Sequence, residues 1–261
     1  MSRSEDLLRI RQGLQAAVEI LRRPRVGTDV GRKASGDPIT DADRAVDRKL
    51  RELLPRPGEG WLSEETADDP ARLECPRVWV VDPLDGTREF VQDIPEWCVS
   101  IGLVEEGRAV AGGICNPSSD QLFLGSVEGG VTVNGRPARM SDRQELEGAT
   151  VLASRTEVGR GQWDSFRDQR FAIRPLGSVA YKLALVAAGL GDLTWTLVPK
   201  HEWDVAAGTA LVTSAGGEVW DLAGTLPSFN QPSPRLTGLV ATPPQLSSQV
   251  RGFLAPHLGS D

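Results

Sequence analysis

Residues 78–90 read Val-Trp-Val-Val-Asp-Pro-Leu-Asp-Gly-Thr-Arg-Glu-Phe, a hydrophobic run that leads into two acids. The first four residues are β-branched or aromatic, so they predict a buried strand that ends at Asp82. Pro83 favours an extended backbone at Asp82, and Gly86 permits a tight turn after Asp85. We therefore expect two carboxylates close together at one strand end. Because such carboxylates lose hydration and repel each other, they require a cation, and hard oxygen ligands suit Mg²⁺.

An alternative is an acidic turn in which Asp82 or Asp85 only caps a helix. Two further acidic stretches favour the metal site over this alternative. They are Leu-Ser-Glu-Glu-Thr at residues 62–66 and Glu-Trp-Asp-Val-Ala-Ala-Gly at residues 202–208. Asp204 in the second stretch, taken alone, is better explained as a helix cap, and the roles of cap and ligand are compatible.

Taken in order, the three acidic stretches resemble the three motifs of the inositol monophosphatase superfamily, which are magnesium-dependent, lithium-sensitive phosphatases. The similarity runs from about residue 33 to about residue 220. Asp-Pro-Leu-Asp-Gly-Thr-Arg-Glu-Phe is most similar to the CysQ-type 3′(2′),5′-bisphosphate nucleotidases, because inositol monophosphatases more often have Thr-Asn-Phe in place of Arg88-Glu89-Phe90. The resemblance implies hydrolysis of 3′-phosphoadenosine 5′-phosphate to AMP and phosphate. The alternative substrates are inositol 1-phosphate and sugar phosphates.

The same resemblance implies which residues hold the metal. The implied ligands of two Mg²⁺ ions, with Asp82 shared between them, are Glu64, Asp82, the backbone carbonyl of Leu84, Asp85 and Asp204. Glu65 would support these ligands or serve a weaker third ion. Many relatives carry an acid near position 35, where this chain has Ser35, and this difference weakens the case for a third ion.

The catalytic residues that the resemblance implies are Asp43, Thr87 and Glu64. Asp43 and Thr87 would orient the water that attacks the phosphorus, although Asp43 is also explained as a helix cap. The backbone N–H groups of Gly86 and Thr87 would hold phosphate oxygens, more strongly if a short helix begins at Thr87.

The second half of the chain is expected to select the substrate. Ser178, at a predicted helix start, would contact phosphate or ribose, and Lys182 would meet a second phosphate. The simpler alternatives are a helix cap and a solvated lysine. Arg88 would bind either a phosphate or Glu89. His201 is expected at the surface or in packing rather than in catalysis.

The fold that the resemblance implies is α+β, a layered αβαβα sandwich. Residues 1–145 would form an N-terminal half with most metal ligands. Residues 146–261 would form a C-terminal α/β half that carries Asp204 and the substrate-selecting residues. The two halves would make one compact unit, with residues 141–148 as the linker.

Local patterns predict most of the elements. Apolar residues at helical spacing predict a first helix that Ser4 caps and that ends near Leu21. A second helix opens near Asp41 and has one apolar face, which consists of Ala42, Val46, Leu50 and Leu53. Residues 24–38 are expected to form a loop or hairpin. Residues 97–133 predict an antiparallel meander with a turn at Glu106-Gly107, and Asn134-Gly135 predicts a further turn after it. Strands and helices alternate from residue 150 onward, including a helix over 163–169.

Composition limits the partners and the compartment. The 261 residues carry a net charge of −7, which argues against a nucleic acid polymer as partner. Three scattered cysteines predict a reduced, cytoplasmic protein, and no apolar run is long enough to span a membrane. The expected partner is a small phosphate monoester, and relatives commonly form homodimers. An inactive phospholigand-binding protein is a further alternative, which the retention of the acids and Thr87 disfavours.

Overall fold

The computed structural model describes residues 2–22, 30–32 and 38–258. In these residues the α-helices are α1 (Arg3–Leu21), α2 (Asp41–Leu53), α3 (Thr87–Val91), α4 (Arg155–Gly159), α5 (Val179–Ala187), α6 (Glu202–Ser214) and α7 (Pro244–Leu254). The strands of the first half are β1 (Val30–Arg32), β2 (Pro38–Thr40), β3 (Glu59–Ser63), β4 (Arg77–Asp85), β5 (Cys98–Glu105), β6 (Arg108–Asn116), β7 (Gln121–Ser126), β8 (Gly130–Val133) and β9 (Arg136–Ala138). Those of the second half are β10 (Thr150–Ser154), β11 (Ala172–Leu176), β12 (Leu193–Thr196), β13 (Lys200–His201), β14 (Glu218–Trp220), β15 (Arg235–Leu236) and β16 (Leu239–Thr242).

In the described residues, two large sheets and three helical layers form the core of the fold, and β1-β2 and β13-β15 are two further two-stranded sheets. A seven-stranded sheet has the order β3-β4-β5-β6-β7-β8-β9, and a five-stranded sheet has the order β11-β10-β12-β16-β14. α1 and α2 cover one face of the larger sheet, α5 and α6 lie between the sheets, and α7 packs on the smaller sheet. Three hydrophobic clusters fill these interfaces, around Ile10, around Leu183 and around Trp195. This order of layers confirms the predicted αβαβα sandwich.

Local sequence signals located most elements correctly. The antiparallel meander is confirmed as β5 to β9, with turns at Glu106-Gly107 and Asn134-Gly135. β1 and β2 pair antiparallel within the segment predicted as a loop or hairpin, of which residues 24–29 and 33–37 lie outside the described residues. In the part of the chain that the structure describes, no helix combines the length and the apolar character needed to cross a bilayer.

Two details of the first helices were predicted wrongly. The N-cap of α1 is Ser2, whose hydroxyl accepts a hydrogen bond from the N–H of Glu5, and Ser4 lies inside the helix. Leu53 is 43% exposed, whereas Leu54 is fully buried. Leu54 follows Leu50 at the i+4 spacing of a helical face, and this places it in the core instead of Leu53.

The helix predicted over residues 163–169 is also wrong. The α-helix of this region is α4, eight residues earlier, and Asp164–Phe166 is only a 3₁₀ turn. Gly161, with φ of 75°, lies between them. Trp163 stacks on Trp195 with ring centroids 4.9 Å apart, and Phe166 packs edge-on against the same ring. These aromatic contacts across the core determine the backbone here, which local propensity did not capture.

A row of three paired glycines, Gly102, Gly112 and Gly125, crosses β5, β6 and β7. We call these residues the glycine row. A Cβ atom at Gly112 would lie 2.5 Å from the carbonyl oxygen of Ala207 in α6, and one at Gly102 would lie 2.9 Å from the Ala207 nitrogen. The backbone of α6 therefore lies directly against the backbone of the sheet, because the sheet has glycine and the helix has alanine at the contact.

We expect Gly112→Ala to destabilise the protein by about 1–3 kcal/mol, because the added methyl group would force α6 away from the sheet. Gly252→Ala in α7 is the matched control, since a Cβ atom there meets nothing within 4 Å. The control should be neutral or stabilising by about 0.5–1 kcal/mol. Chemical denaturation of both variants measures the difference, and equal stabilities would contradict the close packing of α6.

Candidate active site

The ends of two parallel strands bring the first acids together. β3 and β4 pair in parallel, with Ser63 opposite Val81. The N–H of Glu64 then donates to the carbonyl of Val81 at 3.3 Å, so the chain leaves β3 beside the residue that precedes Asp82. Parallel pairing thus places Glu64 and Asp82 at the same edge of the sheet.

A β-bulge brings Asp82 and Asp85 to one face. Asp82 lies opposite Ser100 and Asp85 lies opposite Cys98, so three residue steps on β4 match two on β5. In a regular strand, residues three apart point to opposite faces. The one-residue irregularity corrects this alternation and turns both carboxylates toward α5 and α6.

Backbone hydrogen bonds orient three of the carboxylates. Asp82 Oδ1 accepts from the N–H of Leu84 at 2.9 Å. Asp85 Oδ2 accepts from the N–H of Ala180 at 2.7 Å, at the start of α5. Asp204, in the first turn of α6, accepts from the N–H of His201 at 2.8 Å and so completes a capping box. The predicted capping role of Asp204 is therefore present, and one oxygen of each carboxylate is held in place by the main chain.

Charge repulsion in the site shows that it suits a cation. Burial, together with the nearby charges of Asp85 and Glu64, raises the pKa of Asp204 to about 8. Within the described ranges, no three Asp, Glu, His or Cys side chains are gathered tightly enough to enclose a metal unaided. Oxygen donors that lose hydration and repel each other nevertheless fit a divalent cation such as Mg²⁺, which would compensate this repulsion.

Thr87 connects the acidic strand end to α2. Its hydroxyl lies 3.0 Å from the carbonyl oxygen of Leu84 and 3.2 Å from Asp43 Oδ1. Asp43 is fully buried, and its other oxygen accepts from the N–H of Thr40 at 2.8 Å and from the Thr40 hydroxyl. Asp43 thus caps α2, as one alternative predicted, while it also reaches the hydroxyl of Thr87.

Gly86 makes the turn that the sequence predicted. Its φ is 95°, which is unfavourable for other residues, and a Cβ atom would lie 3.0 Å from the carbonyl oxygen of Glu96. α3 begins at Thr87, as expected, and Gly86 is its N-cap without a side-chain cap. The first N–H groups of α3 therefore have no capping side chain, and Gly86 and Thr87 both line the cavity described below.

Ser178 joins the second half of the chain to Asp85. Its hydroxyl donates to Asp85 Oδ2 at 2.7 Å and accepts from the N–H of Tyr181 at 3.0 Å, so it caps α5 as predicted. Cys98 Sγ lies 3.3 Å from Ser178 Oγ. The φ of 55° and ψ of 123° at Ser178 are strained for a residue with a side chain. The hydroxyl is thus committed to protein groups, including a predicted metal ligand.

Lys182 is not the solvated lysine that one alternative predicted. It is only 3% exposed, and its ammonium donates to the carbonyl of Ser178 at 2.8 Å. Burial lowers its pKa to about 8, although the charge of Asp85 opposes this shift. A buried ammonium group beside the acids can meet an anionic ligand with little water between them.

One cavity of about 310 Å³ unites these groups. Nine residues predicted from the sequence line it, namely Glu64, Asp82, Leu84, Asp85, Gly86, Thr87, Ser178, Lys182 and Asp204. Arg88, for which the sequence predicts either a phosphate or Glu89 as the partner, also lines the cavity. Sequence reasoning gave no site role to several further lining residues, which are Glu89, Ser154, Thr156, Arg160, Val179, Pro199 and Lys200. Gly177, beside Ser178, lines the cavity as well. The one signal for Glu89 was that residues 88–90 read Arg-Glu-Phe, where inositol monophosphatases more often have Thr-Asn-Phe.

Two predicted residues and one overlooked residue lie around this cavity. The cavity lining does not include Glu65 or Asp43. Asp47, which sequence reasoning missed, accepts from the hydroxyls of Ser63 and Thr66, each at 2.6 Å. It therefore holds the segment that carries Glu64 and Glu65. A second acid one helical turn after Asp43 was the available signal.

His201 lies at the surface and packs on a neighbouring ring, as expected. It is exposed, and its ring stacks on Trp203 with centroids 4.4 Å apart. Its backbone N–H serves the site by donating to the carboxylate of Asp204.

Carboxylates arranged for a divalent cation, backbone N–H groups and basic side chains meet in this one cavity. That combination defines a metal-dependent phosphatase site within a layered αβαβα fold. The sequence model of the inositol monophosphatase family matches residues 4–255, so the chain belongs to this family and is a phosphoric monoester hydrolase. Enzymes of the family are generally Mg²⁺-dependent.

Individual relatives cover most of the chain. The inositol-1-monophosphatase of Mesorhizobium japonicum is 38% identical over 204 residues, which are 75% of this chain and 76% of the relative. The extragenic suppressor protein suhB from Bartonella henselae superposes with a TM-score of 0.82 at 29% identity, covering 97% of this chain and 98% of the other. CysQ from Bacteroides thetaiotaomicron superposes with a TM-score of 0.75 at 26% identity, covering 92% of this chain and 97% of the other.

We expect Ser178→Gly to weaken Mg²⁺ binding about 10-fold or more, because Asp85 loses one of the groups that orient it. Glycine tolerates the positive φ and costs an N-cap only a few tenths of a kcal/mol, so the folded state should persist. Isothermal titration with Mg²⁺ and thermal unfolding measure the two effects.

Ser214→Ala serves as the control, because among the described residues the partner of this hydroxyl is the carbonyl of Ala210 within α6. An Mg²⁺ affinity of Ser178→Gly equal to that of the control would show that the contact with Asp85 does not position a ligand.

Proposed function

We propose that the protein removes the 3′ phosphate from 3′-phosphoadenosine 5′-phosphate in a Mg²⁺-dependent reaction, giving AMP and phosphate. The observation that carries this proposal is the charge of the cavity. Five acidic side chains line it together with four basic ones, which are Arg88, Arg160, Lys182 and Lys200. Two divalent cations would nearly neutralise the acids and leave a net positive cavity. A substrate with two phosphates suits such a cavity better than one with a single phosphate.

The metal ligands are proposed as the sequence indicated. Glu64, Asp82 and the Leu84 carbonyl would hold one Mg²⁺, and Asp82, Asp85 and Asp204 would hold the other. Glu65 lies next to this set and would support it. Bound Mg²⁺ would stabilise charge on the phosphate oxygens and make hydroxide available near neutral pH.

The side chains of the chain itself would orient the reactants. The carboxylate of Asp43 would accept a hydrogen bond from the Thr87 hydroxyl, which would leave a lone pair on Thr87 Oγ1 to accept a hydrogen bond from the attacking water. The N–H groups of Gly86 and Thr87 would hold the oxygens of the phosphate that is cleaved. Lys182, buried beside them, would meet the second phosphate.

Inositol 1-phosphate is the second candidate substrate. It is favoured by the name of the Mesorhizobium relative, an inositol-1-monophosphatase that is 38% identical. The same acids would serve either substrate, because the chemistry at phosphorus is the same. The basic side chains of the cavity make the difference, since inositol 1-phosphate has no second phosphate to occupy them.

We also propose that the protein works in the cytoplasm. The cysteines Cys75, Cys98 and Cys115 are all free, and a reducing compartment keeps thiols in this state.

We expect Asp82→Asn to lower kcat on the order of 10²–10³-fold, because the carboxylate shared by both ions loses its charge. The amide oxygen can still accept from the N–H of Leu84, so thermal stability should change little. Asp168→Asn, at an exposed position, is the control. Near-normal turnover of Asp82→Asn would rule out the metal assignment.

Phosphate release from 3′-phosphoadenosine 5′-phosphate, inositol 1-phosphate and fructose 1,6-bisphosphate, with and without Mg²⁺, tests the substrate. We expect phosphate release only in the presence of Mg²⁺. We also expect kcat/KM to be about 10-fold or more higher for the nucleotide, because one charge-assisted contact to its second phosphate contributes free energy of that size. Equal or better hydrolysis of inositol 1-phosphate would overturn the nucleotide assignment while leaving the metal chemistry intact.

A further inference from the structure

One wall of the cavity comes from two segments that carry none of the three acidic motifs. Thr156 and Arg160 belong to α4 and its C-terminal cap, and Pro199 and Lys200 precede α6. The two segments are joined by an ion pair, in which the Lys200 ammonium donates to Glu157 Oε1 at 2.9 Å. The wall is therefore built from side chains that the sequence motifs did not indicate.

Glu157 is a rigid support for Lys200. Its side chain is only 6% exposed. It also accepts from the hydroxyl of Thr196 at 2.7 Å and from the indole N–H of Trp163 at 3.3 Å. Thr196 and Trp163 therefore hold this carboxylate in place independently of Lys200. The ion pair with Glu157 then fixes the end of the Lys200 side chain, which is itself 14% exposed. A lysine held in this way loses little conformational entropy when it binds an anion.

The Lys200 ammonium keeps donors for a ligand. An ammonium group has three N–H donors, and among the described residues Glu157 is the one acceptor that the structure gives to Lys200. The guanidinium of Arg160 makes neither an ion pair nor a hydrogen bond within the described part of the chain, and the residue is exposed and lines the cavity. Lys182 lies close enough to Lys200 for their charges to repel, which contributes to its lowered pKa. Two ammonium groups and a guanidinium therefore line one cavity, in which Glu157, Asp85 and Glu89 act on Lys182 and Lys200 acts on Asp204 through their charges.

We infer that Lys200, positioned by Glu157, binds the phosphate of the substrate that is not cleaved, and that Arg160 closes over the same phosphate from the rim. This inference rests on the proposed function, because it assigns the second phosphate of the nucleotide to named residues. The chemical class of ligand is a phosphate monoester dianion at a distance from the scissile one. Glu157 acts through Lys200 and does not itself touch the substrate.

The test compares adenosine 3′,5′-bisphosphate with adenosine 3′-phosphate, which lacks the second phosphate. Lys200→Met keeps the length of the side chain and removes its charge. We expect kcat/KM for the bisphosphate to fall about 10- to 100-fold, mainly through KM, and kcat/KM for the monophosphate to change less than about threefold. Lys49→Met is the matched control, because Lys49 lies exposed on α2. Calorimetric binding of the product AMP, which retains the 5′ phosphate, should weaken by the same factor in Lys200→Met.

The outcomes separate this inference from the proposed function. If the unaltered enzyme shows no preference for the bisphosphate over inositol 1-phosphate, the proposed function fails and the inference fails with it. If the unaltered enzyme prefers the bisphosphate and Lys200→Met keeps that preference and its affinity for AMP, only the assignment to Lys200 fails. An equal loss of kcat/KM for the bisphosphate and the monophosphate in Lys200→Met would likewise overturn the assignment, since that result indicates a general structural role.

A double-mutant cycle tests the positioning role of Glu157. Glu157→Gln keeps the shape and the hydrogen-bonding oxygen but removes the charge that holds Lys200. We expect the preference for the bisphosphate to fall about three- to tenfold in the single variant and to fall no further when Glu157→Gln is added to Lys200→Met. If Glu157 has a merely structural role, Glu157→Gln will lower kcat/KM for both nucleotides equally. The same loss will then appear when Glu157→Gln is added to Lys200→Met, and this result would overturn this part of the inference.

Discussion

The direct packing of α6 on the glycine row is the contact on which the rest of the site depends. Because Gly102 and Gly112 lack side chains, the helix backbone at Ala207 lies against the backbone of the sheet. Asp204 is in the first turn of the same helix, three residues before Ala207. The helix therefore carries this carboxylate to the strand end where the acids of β4 emerge. A helix held farther from the sheet by ordinary side chains would leave Asp204 outside the cavity.

Desolvation of charge governs the electrostatics of the cavity. Burial raises the pKa of Asp204 to about 8 and lowers the pKa of Lys182 to about 8, so burial disfavours the charged form of each group. A divalent cation beside the acid and an anionic substrate beside the lysine would each favour the charged form again. The free energy that holds such groups in place comes from the three hydrophobic clusters of the layered fold, two of which reach the cavity at Leu84 and Val179.

Elements with strong local signals were predictable, and those set by distant contacts were not. The meander from β5 to β9 followed from strand-forming runs and two turn dipeptides, because each hairpin is formed by neighbours in the chain. The helix predicted over 163–169 failed because Trp163 and Phe166 pack against Trp195, about thirty residues away in the sequence. Likewise, the burial of Lys182 depends on neighbouring layers, and a lysine in a helical pattern gives no sign of it.

The sequence by itself determined the family, the layered fold and four of the five acids that line the cavity, because these acids sit at strand ends and turns whose backbone is set by adjacent residues such as Pro83 and Gly86. The tertiary structure alone decided how those acids are supported and what faces them. Asp85 is held by Ser178 across 93 residues, and Lys200 by Glu157 across 43. No local propensity encodes such pairs, because they form only when separate layers pack and bring distant side chains within hydrogen-bonding distance.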